Sequence, residues 1–531
     1  MKDYSDHRIV ASDRRQIIAK EWRFILFFWM SLALFYLAFS PSTASYMAYT
    51  EENLTSAEQV TGNFIKLAKG QAPAERVRWT RHGCTEVLLE APFILLSRTL
   101  FGNSRVRTGR VIVLQTILAT SLLCALLLVW ARKVTDSWVW AYWLALSAGI
   151  ATMLWPYAYI GAETTQSLFL ALAGYMALER ERRRTWSGFL LFTLACVIAV
   201  SAKQTGLFLL PAVGFLAWIY CRDEQDAGRA VMARRLRKTA VVVVAVLAVV
   251  ALNRYARGPY WDGRGGEENY AASIFIDSPL TYFFNLIGYF GSPNKSLFIY
   301  APLTLLGVLA LRRAYVLRPE VVIWALLTLG GLAGGYALFV VWTEETWGPR
   351  YLHTAIAPLV VCLAVVLQGQ RFRWRRQKLL LAAVILGTAL SFLGAIFHYG
   401  VLYMSAGRTT QCTLEAVQGD ARFNHVRFNL RLLKVWGRER LGLTSRPELW
   451  PSEPLWFYEL PINPPTLKQV DLRDVAIPIP VIFRGWNEGS SASPNTYRLL
   501  RTFCAGCLLL GMAGLVWTWR KARKLEESGK G

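Results

Sequence analysis

Acidic residues, histidine and cysteine are all sparse in this sequence. Its 531 residues hold 35 Asp and Glu against 59 Lys and Arg, five His and eight Cys. No Cys/His spacing suits a zinc site. Six of the cysteines lie in or at the ends of apolar runs, where Cys serves as a small apolar residue. Only Cys84 and Cys412 fall in expected outer loops, where an oxidising compartment would let them pair. Internal repeats are absent, and so is any motif of a nucleic-acid-binding fold. The formal net charge of +24 therefore needs another cause. The first apolar run lacks a small-residue cleavage site, so no cleavable signal peptide is expected.

What the sequence has is apolar length. It is 54% hydrophobic, with a mean hydropathy of +0.31. A bilayer core about 30 Å thick takes about 20 apolar residues as helix. Twelve candidate spans meet or approach this: 23–39, 111–131, 138–155, 164–178, 187–202, 207–221, 239–253, 297–311, 321–342, 355–368, 379–399 and 501–519. The expected fold is an all-α polytopic membrane protein with about twelve transmembrane helices. With the N-terminus inside, five short inner loops carry twenty Lys and Arg, whereas three short outer loops carry only Lys203 and Arg350. That is the positive-inside pattern, and it accounts for much of the net charge.

The chain divides accordingly. Residues 1–22 are an inner N-terminus, 23–400 a transmembrane module and 401–500 an outer, periplasmic segment. A last span at 501–519 leads to a basic tail, 520–531, expected to be disordered. The first outer loop, 40–110, contains TEVLLEAPFILLSRTLFG, which reads as an amphipathic helix lying at the interface. A second outer segment holds the aromatic stretch SPLTYFFNLIGYFGSPNKS. The third, 401–500, is Pro-rich and reads as a small appendage.

The polar residues that stand out fall on the outer side: Glu51, Glu52, Glu58, Glu86, Glu90, Glu163, Lys203, Lys295, Glu344, Glu345, Arg350 and His353. Ionisable groups at the ends of spans are costly unless paired or wet, which makes them functional candidates. Carboxylates beside cations at the outer leaflet suit a lipid-linked phosphate. Cations neutralise the phosphate, and a carboxylate takes a proton from an attacking hydroxyl.

Several segments then resemble one family. "YTEENLTSAEQVTGNFIKLAKGQ" followed by "RWTRHGCTEVLLEAPFILLSRTLFG" looks like the first outer loop of the GT-C membrane glycosyltransferases. "SAKQTGLFLLP", "GSPNKSLFIYAPLTLL" and "WTEETWGPRYLHTAIAP" resemble that family's later outer motifs, in the same order. Ser296 stands where the family more often has Gly. The resemblance covers about 22 to 400 and is nearest to the bacterial group that uses polyprenyl-phosphate sugars, the relatives of protein O-mannosyltransferases and aminoarabinose transferases. It implies a GT-C-like fold and inverting transfer from a polyprenyl-phosphate sugar donor to a glycan, lipid or protein acceptor. It also implies a bacterial cytoplasmic (inner) membrane, with both termini cytoplasmic and the active site periplasmic.

Carried over by residue, Glu51 or Glu52 is the expected catalytic base, with Glu51 favoured. Both are Glu where the family leads with Asp, and both also suit solvated acids at a helix start. Arg350, Lys203 and Lys295 are the expected phosphate-binding cations. Arg350 is otherwise expected to pair with Glu344 or Glu345, and Lys203 to snorkel to the interface. Glu163 is a sugar- or acceptor-binding acid or a helix N-terminal acid. Glu86 and Glu90 share a helix face that lines the cavity or, as the expected case, faces water. His82 and His353 are weaker candidates for sugar or phosphate. Tyr351 and Trp347 suit an aromatic belt as well as a sugar platform. No metal site and no cofactor are expected, although the neighbouring acids leave room for a divalent cation. Membrane lipids are expected partners; nucleic acid is not. The rival readings are a transporter or flippase of lipid-linked sugars, or a polyprenyl-diphosphate-dependent glycan polymerase or ligase.

Overall fold

The computed structural model describes residues 3–39, 65–71 except 67, 84–102, 105–158, 161–179, 185–222, 229–257, 276–339 except 277, 347–370, 377–396, a few positions between 424 and 434, and 494–528. Glu51, Glu52, His82, Glu344, Glu345 and Cys412 lie outside the described residues, as does the side chain of Cys84.

Among the described residues the regular elements are helical. In chain order they are α1 (Asp3–Ala38), α2 (Cys84–Phe101), α3 (Arg105–Thr135), α4 (Trp138–Ile150), α5 (Gly161–Leu178), α6 (Trp186–Ser201), α7 (Leu210–Tyr220) and α8 (Arg229–Arg257). They continue with α9 (Pro279–Gly291), α10 (Leu297–Tyr300), α11 (Pro302–Leu317), α12 (Pro319–Tyr336), α13 (Ile356–Val366), α14 (Lys378–Ile396) and α15 (Pro494–Ser528). Short 3-10 turns, Gln204–Leu209 and Arg350–Ala355, precede α7 and α13.

Each expected span overlaps helix, but among the described residues five helices are long and apolar enough to cross a membrane by length and composition: Glu21–Ala38, Val111–Thr135, Pro319–Tyr336, Lys378–Ala395 and Thr502–Ser528. Four shorter apolar helices accompany them. The count of twelve is not reproduced on that measure. The expected span 297–311 is broken at Ala301–Pro302, because Pro302 opens a new helix.

Large apolar side chains face outward on many helices, among them Leu190 and Leu194 of α6, Val244 and Leu252 of α8, Ile385 and Leu386 of α14, and Leu509 and Leu510 of α15. Apolar exposure on that scale suits a hydrocarbon surround rather than water. The interior holds stacked aromatics, such as Trp130 on Trp324 at 5.3 Å. At one end of the bundle Glu179, just past α5, accepts from Trp130 Nε1 at 3.0 Å and pairs with Arg318 between α11 and α12.

α1 and α15 pack along each other. At Gly514 a Cβ would stand 2.0 Å from Ser31 Oγ, so only glycine allows this approach. Tyr142 of α4 donates to the Leu515 carbonyl at 2.6 Å, and the Trp138 amide donates to Glu526 at 2.9 Å. The tail expected to be disordered is thus helical through Ser528, because Glu526 supplies an acceptor to the first turn of α4.

Candidate active site

The site starts with α2. Its exposed residues Leu88, Pro92, Leu95, Leu96, Thr99 and Leu100 recur at helical spacing on one face. Its buried residues Glu86, Val87, Glu90, Ile94 and Ser97 form the opposite face. The helix is amphipathic, as the sequence suggests, but in the sense opposite to a helix in water. Glu86 and Glu90 are each 2% exposed, which corrects the water-facing expectation. Thr85 Oγ1 lies 2.7 Å from Ser201 Oγ and ties the start of α2 to the end of α6; Ser97 donates to Thr108 of α3 at 3.1 Å.

Lys203 follows α6 immediately, in an extended conformation that ends the helix and begins the 3-10 turn. Arg350 follows Gly348 and Pro349. Gly348 has φ +61°, and a Cβ there would lie 2.7 Å from Tyr300 Cγ, so this turn demands glycine. The Tyr157 hydroxyl donates to the Trp347 carbonyl at 2.5 Å and fixes the start of the turn.

Both cations converge on Glu163, in the first turn of α5. Lys203 Nζ donates to Oε1 at 2.5 Å. Arg350 Nη2 donates to Oε2 at 3.0 Å, and its Nε lies 2.9 Å from Oε1. All three residues are buried. The expected partners of Arg350, Glu344 and Glu345, lie outside the described residues; its carboxylate partner here is 187 positions away in sequence. Lys203 does not snorkel outward: its ammonium sits 4.5 Å from the Tyr351 ring centroid. Tyr351 in turn stacks face to face on Tyr336 at 3.8 Å, and the Tyr336 hydroxyl bonds Thr205.

The aromatic-belt alternative is overturned for both rings. Trp347 is buried edge-on to Tyr300, and Tyr351 is buried in the stack. His353 is also fully buried. Ser167 Oγ, one helical turn after Glu163, donates to the Glu163 carbonyl at 2.7 Å. The same hydroxyl lies 2.8 Å from His353 Nδ1 and 3.2 Å from Thr354 Oγ1. His353 Nε2 is buried with no hydrogen-bond partner among the described residues.

Glu86 joins this cluster electrostatically. Burial raises its pKa well above the usual carboxylate range, the charges of Glu90 and Glu163 add to the rise, and Arg350 and Lys203 oppose it. Burial pushes Glu90 up to about 8. One oxygen of each carboxyl is buried without a hydrogen-bond partner among the described residues. Neutral carboxyls here can donate as well as accept. Lys295, by contrast, is buried in the tight turn between α9 and α10 and is not among the charges acting on Glu86. Among the described residues no group of three or more His, Cys, Asp or Glu gathers in a way that would hold a metal ion.

Glu163, Lys203, Arg350, Tyr351 and His353 stand out separately in the sequence, and the fold brings them together. Ser167, Tyr336 and Tyr157 do not stand out there. Ser167 was findable, since it stands four residues after Glu163 on the same helical face. Tyr336, at the end of an apolar helix, gave no signal.

No family model and no curated protein matches the chain. Solved structures do, these two among them. ArnT from Cupriavidus metallidurans in the apo state is 14% identical, with a TM-score of 0.42, covering 95% of this chain and 78% of that one. ArnT from the same organism bound to undecaprenyl phosphate is 14% identical, with a TM-score of 0.38, covering 92% and 94%. At that distance the likeness assigns no residue, no ligand and no activity.

Proposed function

We propose that this chain is an inverting glycosyltransferase that moves a sugar from a polyprenyl-phosphate-linked donor to an envelope glycan, lipid or protein acceptor. The reaction takes place at the periplasmic face of a bacterial cytoplasmic membrane, with both termini on the cytoplasmic side. The observation that carries this reading is the double clamp on Glu163. Two buried cations at the ends of apolar helices share one carboxylate, so the donor's anionic phosphodiester, and then the polyprenyl phosphate monoester that leaves, can take that carboxylate's place.

In this reading Arg350 and Lys203 hold the donor phosphate, and their charge stabilises it as it leaves. The acceptor hydroxyl oxygen attacks the anomeric carbon from the opposite side. The bond from that carbon to the phosphate oxygen breaks, its electron pair stays on polyprenyl phosphate, and the configuration inverts. The hydroxyl proton passes to a carboxylate of the first outer loop, Glu51 in preference to Glu52. Glu86 and Glu90, held neutral, hydrogen-bond sugar hydroxyls, and the Tyr336–Tyr351 stack keeps the Lys203 ammonium desolvated and aimed.

The test is thermal stabilisation of the purified protein by polyprenyl monophosphate. A ligand present at a hundredfold excess over its dissociation constant adds roughly 2.7 kcal/mol. Wild type is expected to gain stability of that order, and Arg350→Lys and Lys203→Ala to gain less. Turnover of polyprenyl-phosphate sugars by wild type, lost in Glu51→Gln or Glu52→Gln, completes the case. Equal stabilisation of wild type and both cation variants sinks it.

A further inference from the structure

The opposite end of the bundle carries a cavity that the transferase reading does not use. It has a volume of about 510 Å³ and lies between the end of α3, the end of α5 and the start of α6. Its lining includes Lys133, Tyr175, Met176, Thr185, Ser187 and Leu191.

Its charge balance is uneven. The one acid in the lining, Glu179, already pairs with Arg318 and accepts from Trp130 Nε1. Lys133 bonds only the Glu179 backbone carbonyl and, among the described residues, has no carboxylate partner. The Thr185 and Ser187 hydroxyls, 3.1 Å apart, line the same cavity as this cation.

The apolar side is ordered as well. Ser187, Leu191 and Leu194 follow each other at i, i+4 and i+7 on α6, so they share one face. Leu191 and Leu194 are 49% and 52% exposed. The face that lines the cavity at its polar end thus continues as an exposed leucine stripe along a helix that is apolar throughout. A cation and hydroxyls at one end of such a stripe match an amphiphile with an anionic head and a hydrocarbon chain.

We propose that this cavity binds an anionic glycerophospholipid of the inner leaflet, its phosphate against Lys133 and Ser187 and one acyl chain along Leu191 and Leu194. The orientation follows the charge asymmetry of the loops, and basic pockets between membrane helices on the cytoplasmic side are suited to such headgroups. The site is independent of the phosphate site at the other end of the bundle.

The experiment is lipid retention, read by native mass spectrometry on full-length protein taken from bilayers of equal phosphatidylglycerol and phosphatidylcholine. Wild type is expected to retain phosphatidylglycerol preferentially. Lys133→Glu is expected to reduce that preference about fivefold. Ser187→Trp, which fills the cavity without changing charge, is expected to reduce it similarly. Arg313→Glu makes the same charge change at an exposed position in the last turns of α11 and is expected to leave it intact. Unchanged retention in both cavity variants, or an equal loss in Arg313→Glu, overturns the proposal. So does complete competition by inorganic phosphate, which would make the occupant a free anion. Because lipid retention is the readout, failure here leaves the transferase reading standing, and failure of that reading leaves this one.

Discussion

Arg350 meets Glu163 through two nitrogens, Nη2 at 3.0 Å from Oε2 and Nε at 2.9 Å from Oε1, and Lys203 closes on the same carboxylate. One buried anion therefore holds two buried cations, and the trio keeps a net positive charge inside an apolar bundle. Removing one member of a buried ion pair costs roughly 3–5 kcal/mol because the remaining charge stays desolvated. Glu163→Gln should lower the melting temperature sharply. A phosphate monoester would restore the missing anion, so polyprenyl phosphate should stabilise this variant more than it stabilises wild type. Melting curves with and without the lipid, for both proteins, check this.

Glu90 is held neutral up to about 8 by burial, whereas an unfolded glutamate ionises near ~4.3. Between those values the folded chain binds more protons than the unfolded chain. Stability should therefore fall as pH rises through that window and level off above it. Glu90→Gln, which cannot ionise, should flatten part of the fall and be the more stable protein at pH 8. Denaturation at a series of pH values measures the slope directly.

Gly348→Ala places a Cβ against the Tyr300 ring in a left-handed backbone conformation. A strained residue of this kind costs on the order of 1–3 kcal/mol. The turn also sets the position of Arg350, so polyprenyl phosphate affinity should drop together with stability. If thermal stability falls while lipid affinity is unchanged, the turn does not position the arginine.

Tyr351→Leu removes the ring under Lys203 and the partner of Tyr336. A desolvated cation–π contact is worth up to about 2 kcal/mol, so phosphate affinity should weaken up to about thirtyfold. Tyr351→Phe keeps the ring and should stay close to wild type. Equal losses in the two variants would assign the effect to the hydroxyl.

The helices were legible because apolar length marks a membrane segment regardless of what it packs against. Arg350 and Lys203 were legible as outer cations for the same reason, since charge at the end of an apolar run is conspicuous. Their partner was not, because contact between Glu163 and Arg350 depends on how α5 and the turn before α13 meet. Nearby Glu344 and Glu345 looked like the natural choice only on local grounds. The two faces of α2 were visible in the spacing, but which face turns inward depends on the surrounding solvent. A water-based expectation reversed it. Tyr351 and Trp347 were ambiguous in the same way, since a ring at a helix end suits a headgroup layer or a packed turn equally. Glu526 was read as part of a solvated tail because its acceptor role depends on a helix that starts almost 400 residues earlier.

The seam between α1 and α15 has a bearing on how the molecule is made. Ser31 and Phe35 face glycines of a helix that begins at Pro494. During synthesis α1 is in the bilayer long before that partner exists, so its groove is first filled by lipid. When α15 is made it has to displace that lipid before Glu526 reaches Trp138. It therefore joins the bundle late, and a chain cut short before it would leave α1 with one flank open to the membrane.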